Sequence, residues 1–283
     1  MKTPKRIVPL VEEGLIDEVM RQLMSGKEAT VYVVRCGDDI RCAKVYKEAD
    51  KRSFHQAVAY QEGRRVKNSR QARAMEKGTK YGRKMAEEVW QNAEVEALYR
   101  LAAAGVRVPT PFVCFEGVLL MELVTGADGN AAPRLNDVEL TRELALQYHK
   151  ALLRQVVLML CAGVIHGDLS EYNILVDAEG PVIIDLPQAI DAAGSSVAAS
   201  MLDRDVTNLA TFFSATLPEL AGSQYGLEIW NLYEAGLLTP ETPLTGFVAL
   251  PDVPADVGAV MREIALAREE EAERVTYQQT VDG

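Results

Sequence analysis

The sequence predicts an α+β fold in two lobes, a small β-rich one with one long helix followed by a mainly helical one. Three observations carry this. β-Branched and aromatic residues alternate over 30–34 and 40–46, about a Gly37-Asp38-Asp39 turn, and again over 112–115 and 118–123, about Glu116-Gly117. Helical spacing of apolar residues sets in at Met85 and at Leu140. After one small hairpin ending near residue 184, the rest of the chain reads as helices.

In chain order, residues 11–24 read as a short amphipathic helix, followed by the strands 30–34 and 40–46. The segment 47–84 differs in kind. It holds twelve Lys/Arg against four Asp/Glu, so it carries +8 in a chain of net charge −11, leaving −19 for the remainder. Apolar periodicity is weak there, which predicts a segment lying on the surface. From Met85 a helix places Trp90, Ala93, Ala97, Leu98 and Leu101 on one face and stops at Gly105. Two short strands follow. A long helix over 140–160 then lines up Leu144, Tyr148, Ala151, Leu152, Gln155, Val156 and Met159. Next come a polar loop over 166–173, a strand 174–176, a turn 177–180 and a strand 182–184 that ends at Asp185. The last predicted helix, 263–275, is highly charged.

Composition narrows the function. The chain has 283 residues, 48% of them hydrophobic and 25% charged, an ordinary globular balance with ample material for a core. An acidic pI near 4.9 argues against a general nucleic-acid coat. Cys36, Cys42, Cys114 and Cys161 are scattered without a C-x-x-C pair, which argues against a zinc site or a disulfide framework and for reduced thiols. The first residues lack the apolar run of a secretion signal, and the longest apolar run, 156–165, is about half of a membrane span. The expectation is a soluble, cytoplasmic protein with no membrane partner.

Four motifs carry chemistry. Ser25-Gly26-Lys27-Glu28-Ala29 is a small-residue turn entering a strand, where exposed backbone N–H groups can face phosphate oxygens; alone it is equally a plain turn. Lys44 sits inside an apolar strand, either facing solvent or placed as a cation for the α- and β-phosphates of a nucleotide. In the second case Glu94 is its partner, because Ala97, Leu98 and Leu101 put Glu94 on the buried helix face while Glu96 faces away. In the third motif, His166-Gly167-Asp168-Leu169-Ser170-Glu171-Tyr172-Asn173, an Asp and an Asn lie five residues apart around a tight loop. Phosphoryl transfer needs a carboxylate to orient the attacking hydroxyl and take its proton, and an amide oxygen for a metal ion; the pattern matches H-R-D-L-x-x-x-N. Asp185 completes the set as a strand-terminal carboxylate twelve residues after Asn173, an oxygen ligand of the type Mg²⁺ takes. Either Asp alone reads equally well as a loop cap; the set together points to an ATP-dependent phosphotransferase with a protein-kinase-like fold.

The chain resembles the RIO family of atypical protein kinases over roughly residues 20–215. The likeness rests on SGKEAxVY, AKVYK, the basic insert ahead of the 90–101 helix, HGDLSEYNIL and IIDLPQA, with Asp-Leu-Pro-Gln in place of Asp-Phe-Gly. The resemblance implies that Ser25, Gly26 and Lys27 contact phosphates and that Lys44 with Glu94 anchors ATP. It further implies that Met121 backs the adenine pocket, that Glu122 to Val124 form the hinge, that Asp168 is the catalytic aspartate and that Asn173 and Asp185 hold Mg²⁺ or Mn²⁺. The lobes would then be 1–121 and 126–283, joined by a hinge at 122–125. Serine autophosphorylation, with Ser53 and Ser69 available in the insert, and an ATPase switch with Asp185 as phosphoryl acceptor are also implied. No Ala-Pro-Glu segment or long activation loop follows Asp185, so the peptide-docking platform of ordinary protein kinases is not expected and the mode of protein-substrate recognition stays open.

The expected function is therefore a Mg-ATP-dependent serine/threonine protein kinase acting on protein substrates, itself included. Two other readings share the motifs. One is a small-molecule phosphotransferase of the aminoglycoside or choline type; the other is a nucleotide-controlled binding module on an RNA-containing particle such as the ribosome. The insert 47–84, with Phe54, Tyr60 and Tyr81 among its basic residues, would make the RNA contact, or else it folds over the ATP site.

Overall fold

Alternating β-branched residues at the N-terminal end become a five-stranded antiparallel sheet in the computed structural model, which describes residues 3–26, 28–47 and 93–248. Its strands are β1 (Glu18–Ser25), β2 (Ala29–Cys36), β3 (Asp39–Tyr46), β4 (Pro111–Phe115) and β5 (Val118–Glu122). Their order across the sheet is β1-β2-β3-β5-β4. Two tight hairpins pair β2 with β3 and β4 with β5. In the second, Glu116 and Gly117 both take positive φ (47° and 75°), the backbone that a two-residue hairpin turn needs to match strand twist.

Side chains alternate across a strand, and β3 shows what that does here. Ala43 and Val45 face a cluster made with Ile7, Leu10, Ile16, Val19, Val34, Val118 and Leu120, closed by the short helix α1 (Val8–Glu12). Tyr46 faces the other way, into the main core with Leu119 and a helix α2 over residues 93–103. Lys44 is on the same side of β3 as Tyr46, away from Ala43 and Val45. The strand thus turns a lysine toward the inside of the molecule.

The expected helix over 11–24 is not there. The helix ends at Glu12, and Glu18–Ser25 is the edge strand β1. Two bulges, at Val19/Arg21 and Gln22/Met24, break the alternation of β1, and its burial pattern shows one buried residue, Val19. A bulged edge strand rich in Glu, Met, Arg and Gln mimics helical spacing, and pairing with β2 decides otherwise.

α2 carries Glu94, Ala97, Leu98 and Leu101 on its buried face, at the i, i+3, i+4, i+7 spacing read from the sequence. It closes with the Val106 N–H returning to the Leu101 carbonyl at 3.0 Å. Beyond β5 the molecule is mainly helical. α3 (Arg142–Cys161) is capped by Thr141, whose hydroxyl accepts the Leu144 N–H at 3.2 Å, and it buries ten residues including Leu152, Val156 and Met159. α4 (Ala198–Ser214) and α5 (Tyr225–Glu234) complete the helical part. Between α3 and α4 lie the two-residue strands β6 (Val164–Ile165) and β9 (Ile190–Asp191), which pair with each other, and the hairpin β7 (Ile174–Asp177) and β8 (Gly180–Ile183). The β6–β9 pairing is too short to leave a periodic trace in sequence. By its contacts the chain divides after Phe247, and the unit Val248–Gly283, with the expected 263–275 helix, falls outside the described residues beyond Val248. All of the insert 47–84 after Lys47 does as well, together with residues 85–92 of the helix expected from Met85.

All four cysteines are free thiols, and burial pushes that of Cys42 up to about 12. Among the described residues, no helix is long and apolar enough to cross a membrane.

Candidate active site

The interior face of β3 delivers Lys44 to a buried carboxylate. Lys44 is 8% exposed and Glu94 4%. The Lys44 Nζ donates to Glu94 Oε1 at 2.5 Å and to Asp185 Oδ1 at 2.9 Å, joining residues 50 and 141 positions away. Burial works against the lysine's charge, but Glu94 first and Asp185 second outweigh it and hold the ammonium above its ordinary pKa. The sequence left Lys44 facing solvent as the alternative; the structure removes it. Glu96, as expected, is exposed.

Asp185 is held unusually. It takes φ +66°, the left-handed region that costs a non-glycine residue roughly 1–2 kcal/mol. Its neighbour Ile184 is gripped on both sides, its N–H donating to the Asn173 carbonyl and its carbonyl meeting His166 Nε2, each at 3.0 Å. The surrounding hydrogen bonds thus impose the strained conformation. Partial desolvation works to raise the Asp185 pKa, but Lys44 above all, then His166 and Arg134, hold it below the usual carboxylate value.

The loop over 166–173 is pinned from below. Asp205 of α4, 1% exposed, accepts the Gly167 N–H on Oδ2 at 2.7 Å and the Leu169 N–H on Oδ1 at 3.0 Å. Arg204 donates to the Gly167 carbonyl, and Asn208 Nδ2 to that of Leu169 at 3.1 Å. The Asp168 N–H donates to His166 Nδ1 at 3.2 Å, so the His166 proton sits on Nε2, where it meets the Ile184 carbonyl. Gly167 admits no side chain: its φ is +79°, and a Cβ would lie 2.4 Å from Met201 Cε and 2.6 Å from the Gln188 carbonyl oxygen.

These bonds present Asp168 at an exposed position. Asn173 Nδ2 donates to the Asp168 carbonyl at 2.9 Å and reaches its Oδ2 at 3.5 Å, and Gln188 Nε2 approaches the same Oδ2 at 3.4 Å. Partial burial raises the Asp168 pKa and nearby Asp185 adds to the rise, against His166 and Arg204. The result is a carboxylate more basic than an ordinary aspartate, with Oδ1 left for another partner.

The small-residue turn between β1 and β2 is closed by the Gly26 N–H to the Ala29 carbonyl at 2.9 Å, and Ser25 Oγ lies 3.2 Å from Thr30 Oγ1. Lys47 Nζ ties the turn down, bonding Ser25 Oγ at 3.2 Å and the Gly26 carbonyl at 2.5 Å. Lys27 lies outside the described residues. Met121 pairs with Cys42 across the sheet and packs on the main core. Glu122 Oε2 accepts the N–H and hydroxyl of Thr110, at 3.0 and 2.9 Å, and the Val124 carbonyl accepts the Ala132 N–H at 2.9 Å.

No cluster of three or more His, Cys, Asp or Glu among the described residues forms a ready-made metal cage. Asn173 and Asp185 still suit a metal brought with phosphates. The Asn173 amide nitrogen is spent on Asp168, leaving its oxygen for a cation, and Lys44 engages only Oδ1 of Asp185. Two hard oxygen donors, completed by phosphate and water, are what Mg²⁺ takes.

The sequence did not single out Asp205, Arg204 or Asn208, and it gave no role to Gln188 or Lys47, which stand in the quoted IIDLPQA and AKVYK. Asp205 had a readable signal: it stands at an apolar position of α4, between Met201, Leu202, Val206 and Leu209, where a lone carboxylate needs a reason to be buried.

An interior lysine–glutamate pair beneath a five-stranded sheet, set against a strand-terminal Asp and an Asp/Asn loop on a helical base, is the arrangement of a kinase-like fold. A family profile described as RIO domain matches residues 30–224. The chain is 35% identical over 214 residues to the RIO-type serine/threonine-protein kinase Rio1 of Haloferax volcanii, covering 73% of this chain and 67% of that protein. To the serine/threonine-protein kinase rio1 of Schizosaccharomyces pombe it is 30% identical over 226 residues, 75% of this chain and 41% of that protein. To the human serine/threonine-protein kinase RIO1 the identity is 29% over 214 residues, 75% of this chain and 36% of that protein. The chain belongs to the RIO family. It spans about two fifths or less of those eukaryotic relatives.

Proposed function

We propose that this chain is a Mg-ATP-dependent serine/threonine protein kinase of RIO type. The observation that supports it most is the Lys44–Glu94–Asp185 cluster, which sets a desolvated cation beside a strained carboxylate, as anchoring and charge neutralisation of a triphosphate require. In this reading the lobes are 1–121 and 126–283, with 122–125 as the hinge that receives adenine beside Met121. Ser25, Gly26 and Lys27 cover the phosphates, and Lys44, held by Glu94, binds them. Asn173 and Asp185 hold the divalent metal, which supplies charge neutralisation on the phosphate oxygens. Asp168 accepts the proton of the attacking serine or threonine hydroxyl as that oxygen bonds to the γ-phosphorus, and ADP leaves with the electrons of the broken bond.

The test is incubation of the purified chain with γ-labelled ATP and Mg²⁺, followed by hydroxylamine. Label on the chain itself or on a protein substrate that survives hydroxylamine is the ester expected of a kinase. Hydroxylamine-labile label would instead be an acyl phosphate and move the reading to an ATPase switch with Asp185 as acceptor. Transfer to small amino alcohols with none to protein would contradict the proposal. The basic insert is the segment through which an RNA-containing particle would be bound. Binding there should fall steeply with salt and be lost when Arg64, Arg65 and Lys67 are neutralised.

A further inference from the structure

Arg134 is a cation close to Met24 and Asp185 with no use in the scheme above. Its backbone is stitched to the floor of the site: Arg134 bridges to Leu175, two residues past Asn173, and the preceding Pro133 carbonyl accepts the Val176 N–H at 2.9 Å. From there its side chain reaches across to the sheet. The partner of its Nη2 is the Met24 thioether, 3.9 Å away, on the residue that directly precedes Ser25 of the phosphate turn. Its charge is felt at Asp185, where it helps to hold the carboxyl down.

A thioether is a weak acceptor, and a guanidinium carries five donors. Among the described residues Arg134 makes no ion pair, whereas Arg35, Arg41, Arg100, Arg107 and Arg142 each meet a carboxylate. The guanidinium therefore stands nearly unspent, bracketed by the phosphate turn above, the Asn173 strand below and Asp185 behind. Arginine in such a position suits a phosphate, which it meets with paired N–H donors.

We infer that Arg134 is a phosphate-binding residue of the nucleotide site, its guanidinium leaving Met24 to engage the polyphosphate when ATP enters. The inference rests on the nucleotide reading of the site. It adds a second cation to Lys44, so the polyphosphate would be held by a lysine from the sheet and an arginine from the segment bridged to Leu175.

The experiment compares ATP, ADP and adenosine binding to the wild-type chain, R134A and R134M in Mg²⁺, with unliganded melting temperatures recorded alongside. R134M keeps an apolar stem against Met24 and removes the guanidinium, charge and N–H donors together. Loss of a charge-assisted contact should weaken ATP by about tenfold or more in both variants. Adenosine, which has no phosphate, should bind within about twofold of wild type by the same reasoning. Equal losses for ATP and adenosine, or no loss for ATP in variants that melt like wild type, would overturn the inference while leaving the nucleotide reading standing. A wild-type chain that binds adenosine and ATP equally would also overturn it. One that binds neither would overturn the nucleotide reading itself.

Discussion

The two halves of the site are held by different means. Above, Lys44, Glu94 and Asp185 meet through side chains alone, from a strand, a helix and a strand end far apart in sequence. Below, the loop carrying Asp168 is held through its backbone, with the N–H groups of Gly167 and Leu169 and both their carbonyls tied to three residues of one helix, α4. The upper cluster can trade partners: Lys44 can leave Asp185 for a phosphate without breaking a strand or helix hydrogen bond. The lower loop cannot move without unsatisfying buried backbone groups. A rearrangeable cation faces a rigid base, and that division fits a site that must admit a charged nucleotide yet keep one carboxylate aimed.

The sharpest way to break the comparison is at Asp205. Its replacement by Ala strands two buried N–H groups at about 1–3 kcal/mol each, a fall in melting temperature of roughly 4–24 °C, with phosphotransfer lost in step. Asp205→Asn keeps one acceptor and should fall between. If calorimetry finds D205A as stable as wild type, the loop is not backbone-held in the way described.

The upper cluster predicts the opposite kind of result. Lys44→Met leaves Glu94 buried without its cation and should cost about 3 kcal/mol, while the double variant K44M/E94Q removes both charges and should recover part of that stability. Both should lose ATP affinity equally. A denaturant-melt cycle in which the two substitutions simply add would show that the pair is not coupled.

How much of this was legible beforehand follows the same division. The upper cluster could be read from local patterns: Lys44 sits in an alternating strand, and Glu94 falls on the apolar face defined by Ala97, Leu98 and Leu101. His166 to Asn173 and Asp185 were visible as a spaced motif around a hairpin. Asp205 and Arg204 lie more than thirty residues beyond the loop they hold, and the bond is to backbone, which leaves no spacing to read. β1 was misread for a related reason, since its two bulges erase the period that marks a strand. The bonds of Lys47 to Ser25 and Gly26 arise from a hairpin closing on itself, which a linear reading does not see.

A smaller effect concerns pH. Asp168 has a raised pKa, so its base form is complete only above that raised value, and the rate should fall as pH drops through it, sooner than for an ordinary aspartate. Arg204 opposes the rise, so Arg204→Gln should move the acid limb of the kcat/KM profile further up. A limb that stays put or moves down would separate Arg204 from the acidity of Asp168.

The central claim is that Asp168 serves the transfer step and not the binding of ATP. Asp168→Asn keeps the shape and can still receive the Asn173 and Gln188 amides, but it cannot take a proton. Side-by-side measurement of ATP affinity and of single-turnover phosphotransfer to protein tests it directly. The account predicts affinity within a few-fold of wild type and a transfer rate lower by about 10²–10⁴. Transfer at an undiminished rate in D168N, with the metal and ATP bound, would contradict it.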